Sequence, residues 1–174
     1  MTPEEQQAFD GFERERLEKG EVIDDFRGPY RWLSNFHICS IQYEELWYPS
    51  TEHAYQAAKT HVPDHRLLFT KAGLTPGQSK RLAKLFPLRP DWETVKESIM
   101  LELLRFKFTN HDDLREKLLA TGQTHLVEGN TWGDVYWGVC AGHGRNRLGF
   151  LLMLVRDELR TLTTLSEGHP WPKP

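Results

Sequence analysis

Four side chains in the stretch PSTEHAYQAAK (residues 49–59) are spaced to work together. Glu52, Tyr55, Gln56 and Lys59 stand at i, i+3, i+4 and i+7, positions that share one face of an α-helix. A carboxylate and an amine on one face are groups from which acid–base or nucleophilic chemistry is built. The same spacing also describes an ordinary solvated face, because a first-turn acid and a last-turn base complement the helix dipole. Ala54, Ala57 and Ala58 lie mostly elsewhere and suit close packing, so an embedded helix would turn its polar face into a cleft. His53, on the neighbouring face, reads as a hydrogen-bonded structural histidine rather than a base.

Two loops carry further candidates. In GNTWGDVYWGVCAGHGRN (129–146), Asp134 stands between Trp132 and Trp137, where it is either a partly desolvated acid or a turn former. The loop ends in GHGRN, at the start of a helix. Gly142 and Gly144 would let backbone amides approach a phosphate there, with charge added by Arg145 or Arg147. The plainer reading is a tight turn capped by Asn146. The other loop, RGPYRWLSNF (27–36), mixes turn formers with aromatics. Long irregular loops within a compact domain are usually functional or disordered.

The elements that must position these groups follow from pattern and punctuation. EVIDDF reads as a short strand. HICSIQYEELWY (37–48) fits two strands turning near Glu44 and Glu45. Ser50 or Thr51 can cap a helix running to about Thr60. Short helices are expected at 64–72 and 77–85. A core helix starts from an Asp91 cap and places Trp92, Val95, Ile99, Leu103 and Phe106 on one stripe. A further helix covers 111–120, HLVEG (125–129) is a brief strand, and 146–160 is a helix apolar on most faces, hence central. The fold class is α+β, a helix-dominated single domain with one small sheet. Residues 1–20 read as a charged helical extension, 21–163 as the domain and 164–174 as a disordered tail.

Composition bounds the possibilities. The chain has 174 residues, 39% hydrophobic and 27% charged, which describes a soluble globular protein of one domain. Its formal net charge of -3 provides no global basic field, so any nucleic-acid contact would be local. Cys39 and Cys140, far apart and in no CxxC pair, form neither a zinc pattern nor a disulfide framework, which suits a cytoplasmic protein. The polar N-terminus is neither signal peptide nor anchor, and no run approaches the roughly 20 apolar residues of a membrane span. The histidines show no ligand spacing such as HExxH, so no metal is expected.

Taken in order, LSNF (33–36), WYPSTEHAYQAAK (47–59), RPDW (89–92), NTWGDVYWGV (130–139) and GRNRLGFLLMLVR (145–156) resemble the NADAR family of YbiA-like N-glycosidases. The resemblance spans about 26–160. It implies a YbiA-like fold and hydrolysis of N-glycosidic bonds without a cofactor. The substrate would be an ADP-ribosylated guanine base, as on DNA or RNA, or a related phosphoribosyl compound, with a phosphorylated early intermediate of riboflavin synthesis as an alternative. A non-catalytic module binding ADP-ribose or NAD is the alternative. By the same resemblance Glu52, Lys59 and Asp134 are catalytic. Ser34, Asn35, Phe36, Gln56, Trp92, Trp132, Trp137, Gly138, Gly144 and Asn146 would contact substrate, with the GHGRN helix start taking phosphate or diphosphate. Nothing in the sequence fixes an oligomeric state.

Overall fold

The computed structural model describes residues 22–167, so the expected helical extension and the end of the tail lie outside the described residues. Strands β2 (Ile38–Tyr43) and β3 (Leu46–Ser50) form an antiparallel hairpin that pairs Ile41 with Tyr48 and Tyr43 with Leu46. Glu44 and Glu45 make its turn with positive φ values of 44° and 68°, as a two-residue hairpin of matching twist requires. The hairpin delivers the chain directly into helix α1 (Thr51–Ala57). Ser50 ends β3 in an extended conformation, and its hydroxyl accepts from the His53 amide, satisfying one of the orphan donors of the helix start.

Every residue of α1 is buried. The helix packs against the hairpin, against α3 (Pro76–Ala83) and against the long helix α4 (Trp92–Asn110). His53 is the structural residue expected: Nε2 donates to the Leu74 carbonyl at 2.8 Å, which leaves Nδ1 to accept from the Ser50 hydroxyl at 2.7 Å. Between α1 and α3 the chain forms α2 (Pro63–Leu67) and a 3-10 turn over Leu68–Thr70, the two pieces of the helix expected at 64–72.

Helix α4 buries Trp92, Ile99 and Leu103 of the expected stripe, together with Met100, Leu104, Lys107 and Phe108; Val95 and Phe106 are half-buried. Asp91 precedes it but makes no capping bond, because Arg89 holds both of its carboxylate oxygens at 2.7 and 2.8 Å. Helices α5 (Asp112–Ala120) and α6 (Arg147–Glu167) complete a helical layer with α4. Leu151, Leu152, Val155 and Leu159 put α6 at the centre, as its sequence demands, and buried Arg156 donates through Nη1 to Thr121 Oγ1 and the Thr124 carbonyl. Helix α6 continues to Glu167, so residues 164–167 belong to it rather than to a tail.

In place of one small sheet there are, among the described residues, three two-stranded pieces. β1 (Val22–Ile23) runs parallel to β4 (His125–Leu126), and β5 (Gly129–Asn130) parallel to β6 (Val139–Cys140). Among the described residues no helix is long and apolar enough to cross a membrane.

Candidate active site

A cavity of about 560 Å³ opens where the 27–36 loop, α1, α4 and the 129–146 loop meet. Glu52 and Gln56 of α1 line it, so the polar face of that helix looks into a cleft and not into bulk water; the helix ends at Ala57 rather than near Thr60, and Lys59 reaches the cavity from the turn that follows. Asn35 brings the first loop to this helix: its carbonyl accepts from the Glu52 amide at 3.0 Å. Buried Lys107 ties the same loop to α4 through Nζ and the Ser34 carbonyl, 3.0 Å apart, and burial lowers its amine to about 8. Ser34, Asn35 and Phe36 therefore reach the cavity on a fixed backbone.

Glu52 is 6% exposed. Burial raises its pKa against the Gln56 amide, which donates to Oε1 at 2.7 Å, and against the charges of Lys80 and Lys59. Lys59 is displaced in the opposite sense, since burial lowers its pKa more than Glu52 restores it. Its Nζ lies 5.5 and 5.6 Å from the ring centroids of Tyr55 and Trp92. Tyr55 in turn packs between Trp92 and Trp137, at centroid distances of 5.0 and 5.6 Å. These rings wall the cavity, while Trp132 stands 59% exposed at its rim.

Asp134 lines the cavity too. Its Oδ1 accepts from the amides of Tyr136 (3.1 Å) and Trp137 (2.9 Å), which makes it the organiser of its own turn. The turn is locked onto the helices by Glu97, which takes bonds from Arg147 Nε at 2.8 Å, Arg147 Nη2 at 2.6 Å and the Tyr136 hydroxyl at 2.6 Å. Burial alone would raise Glu97, but these bonds hold it below the usual carboxylate value.

A third carboxylate, Glu128, enters the cavity from the segment between β4 and β5. Burial, and then the negative charges of Asp134, Asp25 and Glu52, push it up to about 7. Its Oε2 is buried with no hydrogen-bond partner. The Asn35 and Gln56 side-chain oxygens are likewise buried and unpartnered, leaving acceptors for a ligand's hydroxyl or amino groups. Arg31, Lys80 and Lys96 line the same cavity as cations.

The phosphate site expected at GHGRN is not formed. The amides of Arg145, Asn146, Arg147 and Leu148 donate to the carbonyls of Val135, Gly138, Tyr136 and Trp137, at 2.8 to 3.4 Å. A helix start offers its amides to an anion only while no carbonyl has claimed them, and here the preceding loop has folded back to do so. Gly138, Gly144 and Asn146 do not line the cavity. Gly144 has φ 152°, and a Cβ there would run into the Gly138 carbonyl. Gly144→Ala is accordingly expected to cost about 2–3 kcal/mol and to lower Tm by roughly 5–10 °C in a thermal melt.

The ordered motifs on this scaffold match the NADAR domain over residues 23–160. The chain belongs to the NADAR family. Among similar NADAR-type proteins, N-glycosidase YbiA of Escherichia coli is 40% identical over 133 residues, covering 75% of this chain and 82% of its own. An N-glycosidase of Nostoc punctiforme is 39% identical over 143 residues, covering 79% and 91%. A riboflavin biosynthesis protein of Vibrio vulnificus is 39% identical over 74% of this chain but only 35% of its own length. The NMR structure of the E. coli protein superposes with a TM-score of 0.73 at 36% identity, covering 83% of this chain and 88% of that one. The helix-rich architecture with small sheets is thus a NADAR architecture.

Within this NADAR site, Glu128 and the cations Arg31, Lys80 and Lys96 are the residues that sequence reading missed. HLVEG looks like an edge of a strand. The available signal was a lone carboxylate at the point where a strand gives way to a glycine- and tryptophan-rich loop.

Proposed function

We propose that this N-glycosidase of the NADAR family hydrolyses the bond between ribose and an ADP-ribosylated guanine base. The observation that carries the reading is a single cavity that joins four carboxylates (Asp25, Glu52, Glu128 and Asp134) and a burial-lowered lysine to aromatic walls and a cationic rim. Cleavage of an N-glycosidic bond develops positive charge on the sugar and requires a proton for the departing base. Glu52 stabilises the charge at C1′. Lys59, its neutral form favoured by burial, attacks C1′ and forms a Schiff base after ring opening, which water then hydrolyses. The uncommitted oxygen of Asp134, with Asn35 and Gln56, binds sugar hydroxyls, and Trp92, Trp137 and Trp132 stack on base or ribose.

With the GHGRN amides occupied, the phosphates fall to the cations. The side chains of Arg31 and Lys80 make no hydrogen bond or ion pair among the described residues and line the cavity. A net charge of -3 without a basic face fits a small ligand, or a nucleotide flipped out of its strand. Two free cysteines fit a cytoplasmic setting. Lys80→Ala is expected to raise KM for the ADP-ribosylated substrate about 3- to 10-fold with kcat little changed, the scale of one partly solvated charge-assisted bond. Steady-state kinetics with and without added salt checks it.

The deciding experiment incubates the protein with a DNA oligonucleotide carrying ADP-ribose on guanine and follows free ADP-ribose by mass spectrometry. Release at multiple turnovers supports the reading. Calorimetric binding of ADP-ribose without any release points to a binding module instead. A second reading, a phosphorylated riboflavin intermediate as substrate, is favoured by the similarity to a riboflavin biosynthesis protein. Turnover of that compound together with an inert oligonucleotide would install it.

A further inference from the structure

We propose that Glu128 is the general acid that delivers a proton to the departing base nitrogen. The inference rests on the N-glycosidase reading of this cavity and names the one reacting group which that reading leaves unassigned.

The backbone holds Glu128 from both sides. Its N–H donates to Asn146 Oδ1 at 3.0 Å and its carbonyl accepts from the Val139 amide at 2.9 Å. A Cβ at Gly138 would strike the Glu128 carbonyl and come within 3.1 Å of Glu128 Cγ. Gly144 in turn must lie against the Gly138 carbonyl. Gly138, Gly144 and Asn146, which do not touch the cavity, thus hold in place the carboxylate that does. The side chain they fix lines the cavity with a buried Oε2 that finds no partner in the protein. A buried, unpartnered carboxyl oxygen at a reaction cavity is the arrangement of a group whose partner arrives with the substrate.

Glu128 also differs from its neighbours in the form it favours. Asp134 commits Oδ1 to two amides, and Glu52 receives the Gln56 amide and the fields of Lys59 and Lys80. Glu128 faces Asp25, Glu52 and Asp134, opposed by Arg27, and burial and these acids favour its protonated form near neutrality. In the step, the Glu128 hydroxyl proton passes to the base nitrogen as the C1′–N electron pair leaves with the base. C1′ takes its new bond from Lys59 Nζ. The Glu128 carboxylate then recovers a proton from the water that hydrolyses the enzyme adduct, so the net reaction adds one water across the bond.

The test uses kcat against pH for the full chain and for Glu128→Gln, with the ADP-ribosylated oligonucleotide. The wild type should lose rate above about pH 7, while the variant should run ~10²–10³-fold slower with that alkaline limb gone and KM within threefold. Glu128→Asp, a shorter acid, should keep the limb at a reduced rate. A variant that retains the limb, or that runs within threefold of wild type, overturns the proposal. Titration of ¹³C-glutamate-labelled protein by NMR, with the Glu128 signal assigned from either variant, is independent of turnover. A carboxyl titrating near 7 supports the acid, and one titrating in the ordinary range near 4 overturns it. A wild type that releases no ADP-ribose yet shows the raised titration would retire the substrate and leave Glu128 standing.

Discussion

Glu52→Gln is expected to lose about 10²–10⁴-fold in kcat and yet to melt higher than the wild type at neutral pH. The loss follows from the position of the carboxylate. At 6% exposure it sits in low dielectric beside the cavity, where a negative charge interacts strongly with a positive sugar in the transition state. Glutamine keeps the size and can still accept the Gln56 amide, so the change removes charge with little else. A loss on this scale corresponds to about 3–5 kcal/mol of barrier. The gain in stability follows from the same burial. Glu52 has a raised pKa in the fold, so the folded state favours the protonated form over what the unfolded chain prefers. Stability from this group is present at low pH and is lost as pH rises from the ordinary carboxylate value through the raised one. At neutral pH the charged group is therefore a burden that the neutral amide removes, the usual exchange between stability and activity at a functional site. Calorimetric melts at pH 4 and pH 7.5 check it: the variant's advantage should appear only at the higher pH. A variant that is both active and destabilised would show that Glu52 is structural.

The parts of this architecture that were legible in the sequence are those set by local chemistry. The Ser50 cap and the alanines of α1 specify a short embedded helix. Glu44 and Glu45 mark a hairpin turn between two patterned runs, and the apolar faces of α6 leave it nowhere to lie but the centre. The polar face of α1, the LSNF loop and the WGDVYWG loop also come together at one cavity, as their residue types require. What could not be read depends on partners distant in the chain. An amide at a helix start is open or occupied according to where a loop folds, and the carbonyls of 135–138 decide that for GHGRN. Asp91 has the type and place of a cap, but Arg89 competes for it with charge. Glu128 carries no local mark beyond its place where a strand gives way to a glycine- and tryptophan-rich loop, since its burial and its acidic neighbours are supplied by residues around 24–27, 52 and 134. Those same misread glycines and Asn146 acquire a meaning once Glu128 is seen, because they form its support.

Lys59→Ala is expected to match the loss at Glu52, and the more informative variant is Lys59→Arg. If the amine is a nucleophile, arginine cannot replace it, because a guanidinium stays protonated and planar at any accessible pH. If the amine merely supplies positive charge, arginine should recover most of the rate. The structure favours the first outcome. Burial is the leading influence on Lys59 and lowers its pKa, with Lys80 and Lys84 acting in the same direction against Glu52. An amine so placed carries more of its neutral, nucleophilic form at neutral pH than an exposed lysine. The rate should therefore rise as pH increases toward the lowered amine value, on the limb opposite to that assigned to Glu128. Sodium borohydride added during turnover should reduce the Schiff base to a stable amine, leaving protein that is inactive and heavier by the ADP-ribosyl group. Tryptic mapping should place that mass on Lys59. Full rate in Lys59→Arg together with an absence of trapped adduct would instead make Lys59 an electrostatic partner of Glu52, and water the direct nucleophile at C1′.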